Sequence, residues 1–315
     1  MLVQFLNLAA GLGLILLGAN YLVDGASSIA KKFGLSEFII GVTIVGIGTS
    51  APEMVVSVIS AISGKADMAI GNIVGSNIFN TFMILGVTAL IAPIVITKSN
   101  LKKDISLNVL VTSLLIILGI WGLGNRHNEL SFLDGALMLG IFVWYLWSSF
   151  RSEKDDEEDS SIKIFPMWLA IVMVVGGLGA LIFGGRLFVD SATGIAKSMG
   201  VSDKFIAITI MAAGTSFPEL ATCVVAALKG RGQLALGNIL GSNISNILLI
   251  LGLTSLISPL SFNGISNVDL SLLLATAVLV FLCAFTFKKM KIDRIEACIF
   301  LLIEAGYMWY LIANL

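Results

Sequence analysis

Long apolar runs separated by short polar breaks fill this chain from end to end. They fall at about residues 3–23, 37–62, 69–95, 105–122, 131–150, 165–188, 203–227, 234–257, 266–286 and 296–313. A helix crosses a hydrocarbon layer with roughly 20 apolar residues, so the pattern predicts an all-α membrane protein with ten transmembrane helices. One stretch interrupts the rhythm, RSEKDDEEDSS at 151–161. A charge run of that kind reads as a solvated connection. It predicts a first five-helix unit over 1–150, a linker over 151–164 and a second five-helix unit over 165–315.

The two units are versions of each other. NYLVDGASSIAKKFGLSEFIIGVTI begins at Asn20 and RLFVDSATGIAKSMGVSDKFIAITI at Arg186, 166 residues further on. Asp24 and Asp190, Gly34 and Gly200, and Pro93 and Pro259 keep the same offset, which points to duplication. Five crossings is an odd number, so the second copy must enter the bilayer from the opposite side, as inverted repeats. Positive charge tests this. With the N-terminus outside, fourteen Lys and Arg fall in inner loops; only Lys65, Arg126, Lys197 and Lys204 fall in outer ones, and Arg186 lies within a span. The positive-inside rule then puts both termini outside and the acidic linker inside. Trp144, Trp147, Trp168 and Trp309 lie toward span ends, where an interfacial belt is expected.

Composition agrees and narrows the function. Apolar residues make up 57% of the chain, charged residues 12%, and the mean hydropathy is +1.00, too apolar for a soluble protein. A net charge of −1 gives no footing for a nucleic-acid partner. The three cysteines, Cys223, Cys283 and Cys298, sit in apolar runs without metal-ligand or disulfide spacing and read as small buried hydrophobes. The first run lacks a basic leader and a cleavage site, so it reads as a retained span.

Polar residues inside the apolar runs carry the chemistry, because they are costly there and usually functional. They cluster in GIGTSAPEMVVSV (46–58) with GNIVGSNIFN (71–80), and again in AAGTSFPELATCV (212–224) with GNILGSNISN (237–246). Proline lacks an N–H and clashes with the carbonyl four residues back. Pro52 and Pro218 should therefore free the carbonyls of Gly48 and Gly214 and break helices 2 and 7. A freed carbonyl must face protein, water or an ion. Thr49 and Glu53, like Thr215 and Glu219, are four apart and share a helix face. In the following helix Asn72, Ser76 and Asn80 form a polar stripe, repeated as Asn238, Ser242 and Asn246. Beside each stripe a glycine pair, Gly71 with Gly75 and Gly237 with Gly241, should let another backbone approach closely. Every donor atom is an oxygen, which suits hard cations rather than zinc or copper. Two glutamates balance one Ca²⁺ or two Na⁺, and protons compete because burial favours a neutral carboxyl. The spacing gives a cation site without choosing the ion. Helix packing alone is the plainer reading of one GxxxG or Ser-Asn pair, but not of two Pro-adjacent glutamates copied at one offset.

At these residues the chain resembles the calcium/cation antiporter superfamily, in particular the small prokaryotic sodium/calcium exchangers. Their two alpha repeats have the form G-[TS]-S-x-P-[ED] followed by G-N-x-x-G-S-N-x-x-[ND]. The resemblance implies a ten-span antiporter in a prokaryotic inner membrane, exchanging Na⁺ for Ca²⁺ through a site open to one side at a time. It implies Glu53 and Glu219 as calcium ligands, with Thr49 and Thr215 beside them. Sodium sites would use Ser50, Ser76, Ser216, Ser242 and the backbone of Gly46 and Ala212, with Asn80 and Asn246 as central amides. Switching would slide spans one and six across the others. Some relatives, including potassium-dependent exchangers, carry aspartate at the position of Asn246, so asparagine there argues against potassium co-transport. The short linker leaves no room for a large regulatory domain.

A Ca²⁺/H⁺ exchanger is the alternative, weakened by the lack of the acidic stretches common in proton-coupled relatives. An intramembrane enzyme would need an HExxH pair, a serine–histidine arrangement or an aspartate pair, and none is present. No cofactor or required protein partner is expected; the partners are the ions and the lipid bilayer. Arg186 and Asp190, four apart, are expected to pair on one helix face. Glu304 in the last span has no evident partner.

Overall fold

Helices dominate because the apolar runs have no water to satisfy their backbone groups and must satisfy them internally. The computed structural model describes residues 2–123, 127–151, 162–201, 206, 209–210 and 212–314. Most of the acidic linker, Arg126, Lys154 and Lys204 of the charge count, and the expected start of the seventh span lie outside the described residues.

Seven helices among the described residues are long and apolar enough to cross a membrane, or eight if the bent pair Glu37–Thr49 and Ala51–Ile62 counts as one span. This is fewer than the ten expected. The other two expected spans are represented by shorter apolar helices, Phe217–Leu228 and Asn267–Cys283. At 1.5 Å per residue the second of these, 17 residues long, covers only about 25 Å. The first and sixth runs instead give longer helices than the apolar pattern indicates. Leu2–Phe33 and Met167–Ser198 each hold 32 residues, because both continue through an Asp- and Ser-containing polar tail.

Those two helices pack antiparallel along their length through small residues. A Cβ on Gly18 would lie 2.7 Å from the Gly177 carbonyl, one on Gly11 2.9 Å from the Gly184 carbonyl, and one on Gly25 2.8 Å from the Ala170 carbonyl. The helix Ala66–Ile91 and its counterpart Gly232–Ile257 form the centre, with 72% and 83% of their most apolar windows buried against 22–44% for the other spans.

The duplication is visible element by element. Helix Ala66–Phe79, the wide π turn Asn80–Leu85, helix Gly86–Ile91 and the short strand Ile94–Val95 recur as Gly232–Ser245, Asn246–Leu251, Gly252–Ile257 and Leu260–Ser261. Each strand pairs with the other half: Ile94 faces Ile292, and Leu130 faces Leu260, both antiparallel.

The glycine pairs do not behave alike. A Cβ on Gly237 would run into the Phe38 carbonyl, and one on Gly241 would lie 2.5 Å from Val42 Cα, so backbone approach is close there as expected. The first copy differs. A Cβ on Gly71 would find its nearest neighbour, Ile265 Cδ1, at 3.9 Å, and one on Gly75 would find nothing within 4 Å. Gly71, Asn72 and Gly75 stay half-buried while Gly237, Asn238 and Gly241 are buried. The broken segment Glu37–Val45 closes onto the second copy's helix, and this face of the first copy's helix is left looser.

Candidate cation site

Proline makes the site possible by ending one helix and starting the next. The first helix stops at Thr49, Ser50 takes φ −79° and ψ 8°, and Ala51–Ile62 restarts with Pro52 in its first turn. The bend is 45°. In the second copy Ala212–Gly214 ends before Thr215 and Ser216, and Phe217–Leu228 restarts with Pro218 in the same place. Each glutamate therefore occupies the first turn of a restarted helix, where the N-terminal dipole favours negative charge.

The two broken turns face each other and exchange side chains. Ser50 Oγ donates to Glu219 Oε1 at 3.1 Å, and Ser216 Oγ donates to Glu53 Oε1 at 3.2 Å. Both glutamates are 1% exposed. The structure thus brings Glu53 and Glu219 into one buried place, each held by the opposite half.

Five further oxygens of the expected site residues have no hydrogen-bond partner. Glu53 Oε2, Glu219 Oε2, Asn80 Oδ1, Asn246 Oδ1 and Thr215 Oγ1 are buried without a hydrogen-bond partner. Buried acceptors are nearly always satisfied in folded proteins, and leaving them bare is costly. The two carboxamide oxygens can only accept, and so can the two carboxylate oxygens when ionised, so a hydrogen-bond donor or a cation is the kind of partner all four suit.

The other expected site residues surround this centre with structural bonds. Thr49 Oγ1 is 3.0 Å from the Val45 carbonyl, 3.4 Å from that of Gly46 and 3.2 Å from Asn238 Oδ1. Ser242 Oγ donates to the Gly46 carbonyl at 3.2 Å, tying the first broken helix to the second copy's stripe. Asn72 Nδ2 reaches the Glu53 backbone carbonyl at 3.3 Å and Ser57 Oγ at 3.1 Å. Asn238 Nδ2 lies 3.2 Å from Cys223 Sγ, the counterpart of Ser57. Ser76 is buried in the first stripe, and Ala212 opens the short helix before the second break.

Two residues were missed. Asn77 and Asn243 are off the i, i+4 stripe, yet both are buried and bridge the halves. Asn77 Nδ2 donates to the Asn243 carbonyl at 3.2 Å, and Asn243 Nδ2 to Thr81 Oγ1 at 3.0 Å. Their signal was their place between the two stripe residues in G-S-N-x-x-N. The Arg186–Asp190 pair is a correction: no such ion pair forms among the described residues. The matching acid, Asp24, instead takes Lys229 at 2.6 Å from across the chain. Glu304 is buried in the last helix with Oε2 unpartnered, apart from these elements in sequence.

Comparison with known proteins agrees with this geometry. A family model described as sodium/calcium exchanger protein matches residues 3–151 and 169–313. The chain belongs to that family. It is 38% identical to the putative antiporter CaxA of Alkalimonas amylolytica over the full length of both chains. It is 32% identical to the sodium/calcium exchanger MaX1 of Methanosarcina acetivorans, covering 97% of each. A solved structure of the sodium-calcium exchanger NCX_Mj superposes with a TM-score of 0.84 at 32% identity, covering 100% of this chain and 99% of that one. As an exchanger-family member the chain is a multi-pass helical membrane protein and a cation antiporter, with bacterial and archaeal relatives.

Proposed function

We propose that this family member exchanges Na⁺ for Ca²⁺ by alternating access, without potassium, at the site shared by its two broken helices. One observation carries the reading: Glu53 and Glu219 are each held in a buried position by the opposite half's broken turn, and each keeps one carboxylate oxygen without a partner. Glu53, Glu219, Thr49 and Thr215 would hold Ca²⁺. Ser50, Ser76, Ser216, Ser242 and the backbone of Gly46 and Ala212 would serve Na⁺, with Asn80 and Asn246 as central amides open to either ion and Asn72 and Asn238 in the stripes beside them. Two carboxylates neutralise one Ca²⁺ or two Na⁺ but not both together, so Na⁺ and Ca²⁺ would compete for the site and occupy it in turn.

Ten spans in two inverted five-helix units, with both termini outside a prokaryotic inner membrane, complete the proposal. The element-by-element recurrence and the charge distribution support it. The unequal packing of the two glycine pairs fits a carrier caught open to one side.

The test is Ca²⁺ flux in proteoliposomes with Na⁺, K⁺ and H⁺ gradients imposed separately. A Na⁺ gradient alone should drive ⁴⁵Ca²⁺ uptake, and Glu53→Gln or Glu219→Gln should abolish it. Equal uptake driven by a proton gradient without Na⁺ would replace this reading with Ca²⁺/H⁺ exchange.

A further inference from the structure

A carboxamide is two-faced: its oxygen attracts a cation and its NH₂ repels one. An asparagine facing a cation site is useful only if something fixes which end points inward. Here both central asparagines are fixed from the far half. Asn80 Nδ2 donates to Asn243 Oδ1 at 3.2 Å, and Asn246 Nδ2 donates to Asn77 Oδ1 at 2.9 Å. That leaves Asn80 Oδ1 and Asn246 Oδ1 buried without a donor.

The braces are themselves fixed. Asn77 can offer its oxygen to Asn246 because its own Nδ2 is held by the Asn243 carbonyl at 3.2 Å. Asn243 offers its oxygen to Asn80 because its Nδ2 is held by Thr81 Oγ1 at 3.0 Å. All four amides are nearly or wholly buried, so water does not compete for these bonds. Asn80 and Asn246 also open the two π turns, a distortion that recurs at functional sites.

We propose that Asn77 and Asn243 are positioning residues for ion selectivity: each grips the amide nitrogen of the opposite half's central asparagine, so that only oxygen faces the cation. This rests on the proposed cation site and adds the reason its amides act as ligands. It also makes each half's ligand depend on the other half, so relative movement of the two central helices would release both oxygens together.

The test is a double-mutant cycle read as half-saturating Ca²⁺ in proteoliposome flux and as Ca²⁺-induced thermal protection of the purified full chain. Asn77→Ala frees Asn246 to turn and should raise half-saturating Ca²⁺ by about tenfold, the effect of losing roughly one buried hydrogen bond. Asn246→Asp presents oxygen whichever way it turns. In that background Asn77→Ala should therefore cost little affinity. The same holds for Asn243→Ala with and without Asn80→Asp. Equal affinity losses in both backgrounds would assign Asn77 and Asn243 a packing role and overturn the proposal, as would no loss in the otherwise native chain. If instead Ca²⁺ does not protect the native chain and Glu53→Gln transports normally, the cation site itself fails, and the brace with it.

Discussion

Ser50 and Ser216 show at residue scale how the site is divided. Each donates to the carboxylate carried by the other half, at 3.1 and 3.2 Å, so removing either hydroxyl takes a donor from the glutamate opposite it. Losing a donor to a buried acceptor costs about 1–3 kcal/mol. Ser50→Ala and Ser216→Ala should each raise half-saturating Ca²⁺ by about tenfold, the equivalent of roughly 1.4 kcal/mol, and by similar amounts. A large effect of one with none of the other would mean that a single half holds the ion. The glutamates, serines and stripe residues were legible because proline, apolar context and a constant offset marked them. Asn77 and Asn243 were not, since their partners come from 162 to 169 residues away. The same limit explains Asp24: helical spacing offered its counterpart Asp190 a neighbour in Arg186, but its own actual partner, Lys229, is 205 residues distant.

Among the elements, the two glycine-bearing helices make opposite predictions from identical motifs. Gly241→Ala puts a methyl 2.5 Å from Val42 Cα, backbone that cannot rotate aside. Overpacking of this sort costs about 1–3 kcal/mol, so thermal stability in detergent should fall. Gly75→Ala meets nothing within 4 Å and replaces the weaker helix former. It should leave stability unchanged or raised. If the two halves trade packing during the cycle, Gly75 becomes the crowded position in the opposite state, and the same substitution should slow ⁴⁵Ca²⁺ flux. A stable variant with undiminished flux would refute that exchange of roles. The sequence showed both motifs but not this difference, because the two copies sit in different surroundings: Val42 backs onto Gly241, and nothing lies within 4 Å of a Cβ on Gly75. Span lengths were blurred for a related reason. Apolar runs mark what faces lipid, whereas Leu2–Phe33 and Met167–Ser198 continue as helices beyond it.

Orientation belongs to the whole molecule and follows from charge rather than from packing. Inner loops would hold fourteen Lys and Arg against four outside, a bias strong enough to set the direction of insertion. The pairing Asp24–Lys229 and the pairing Glu37–Arg231 at 3.2 Å both lie on the side assigned to the cytoplasm, joining the first long helix and the start of the first broken helix to the turn after Phe217–Leu228. Alkaline phosphatase, active only outside the cytoplasm, reads the orientation directly. Fused after Leu315 it should be active; fused within the acidic stretch 151–161 it should be inactive. Active enzyme at both positions would require an even number of crossings between them, incompatible with five spans in the second unit and hence with inverted repeats. Activity reversed at the two positions would keep the inversion and turn the molecule over, so that the ion pairs would close its outer face.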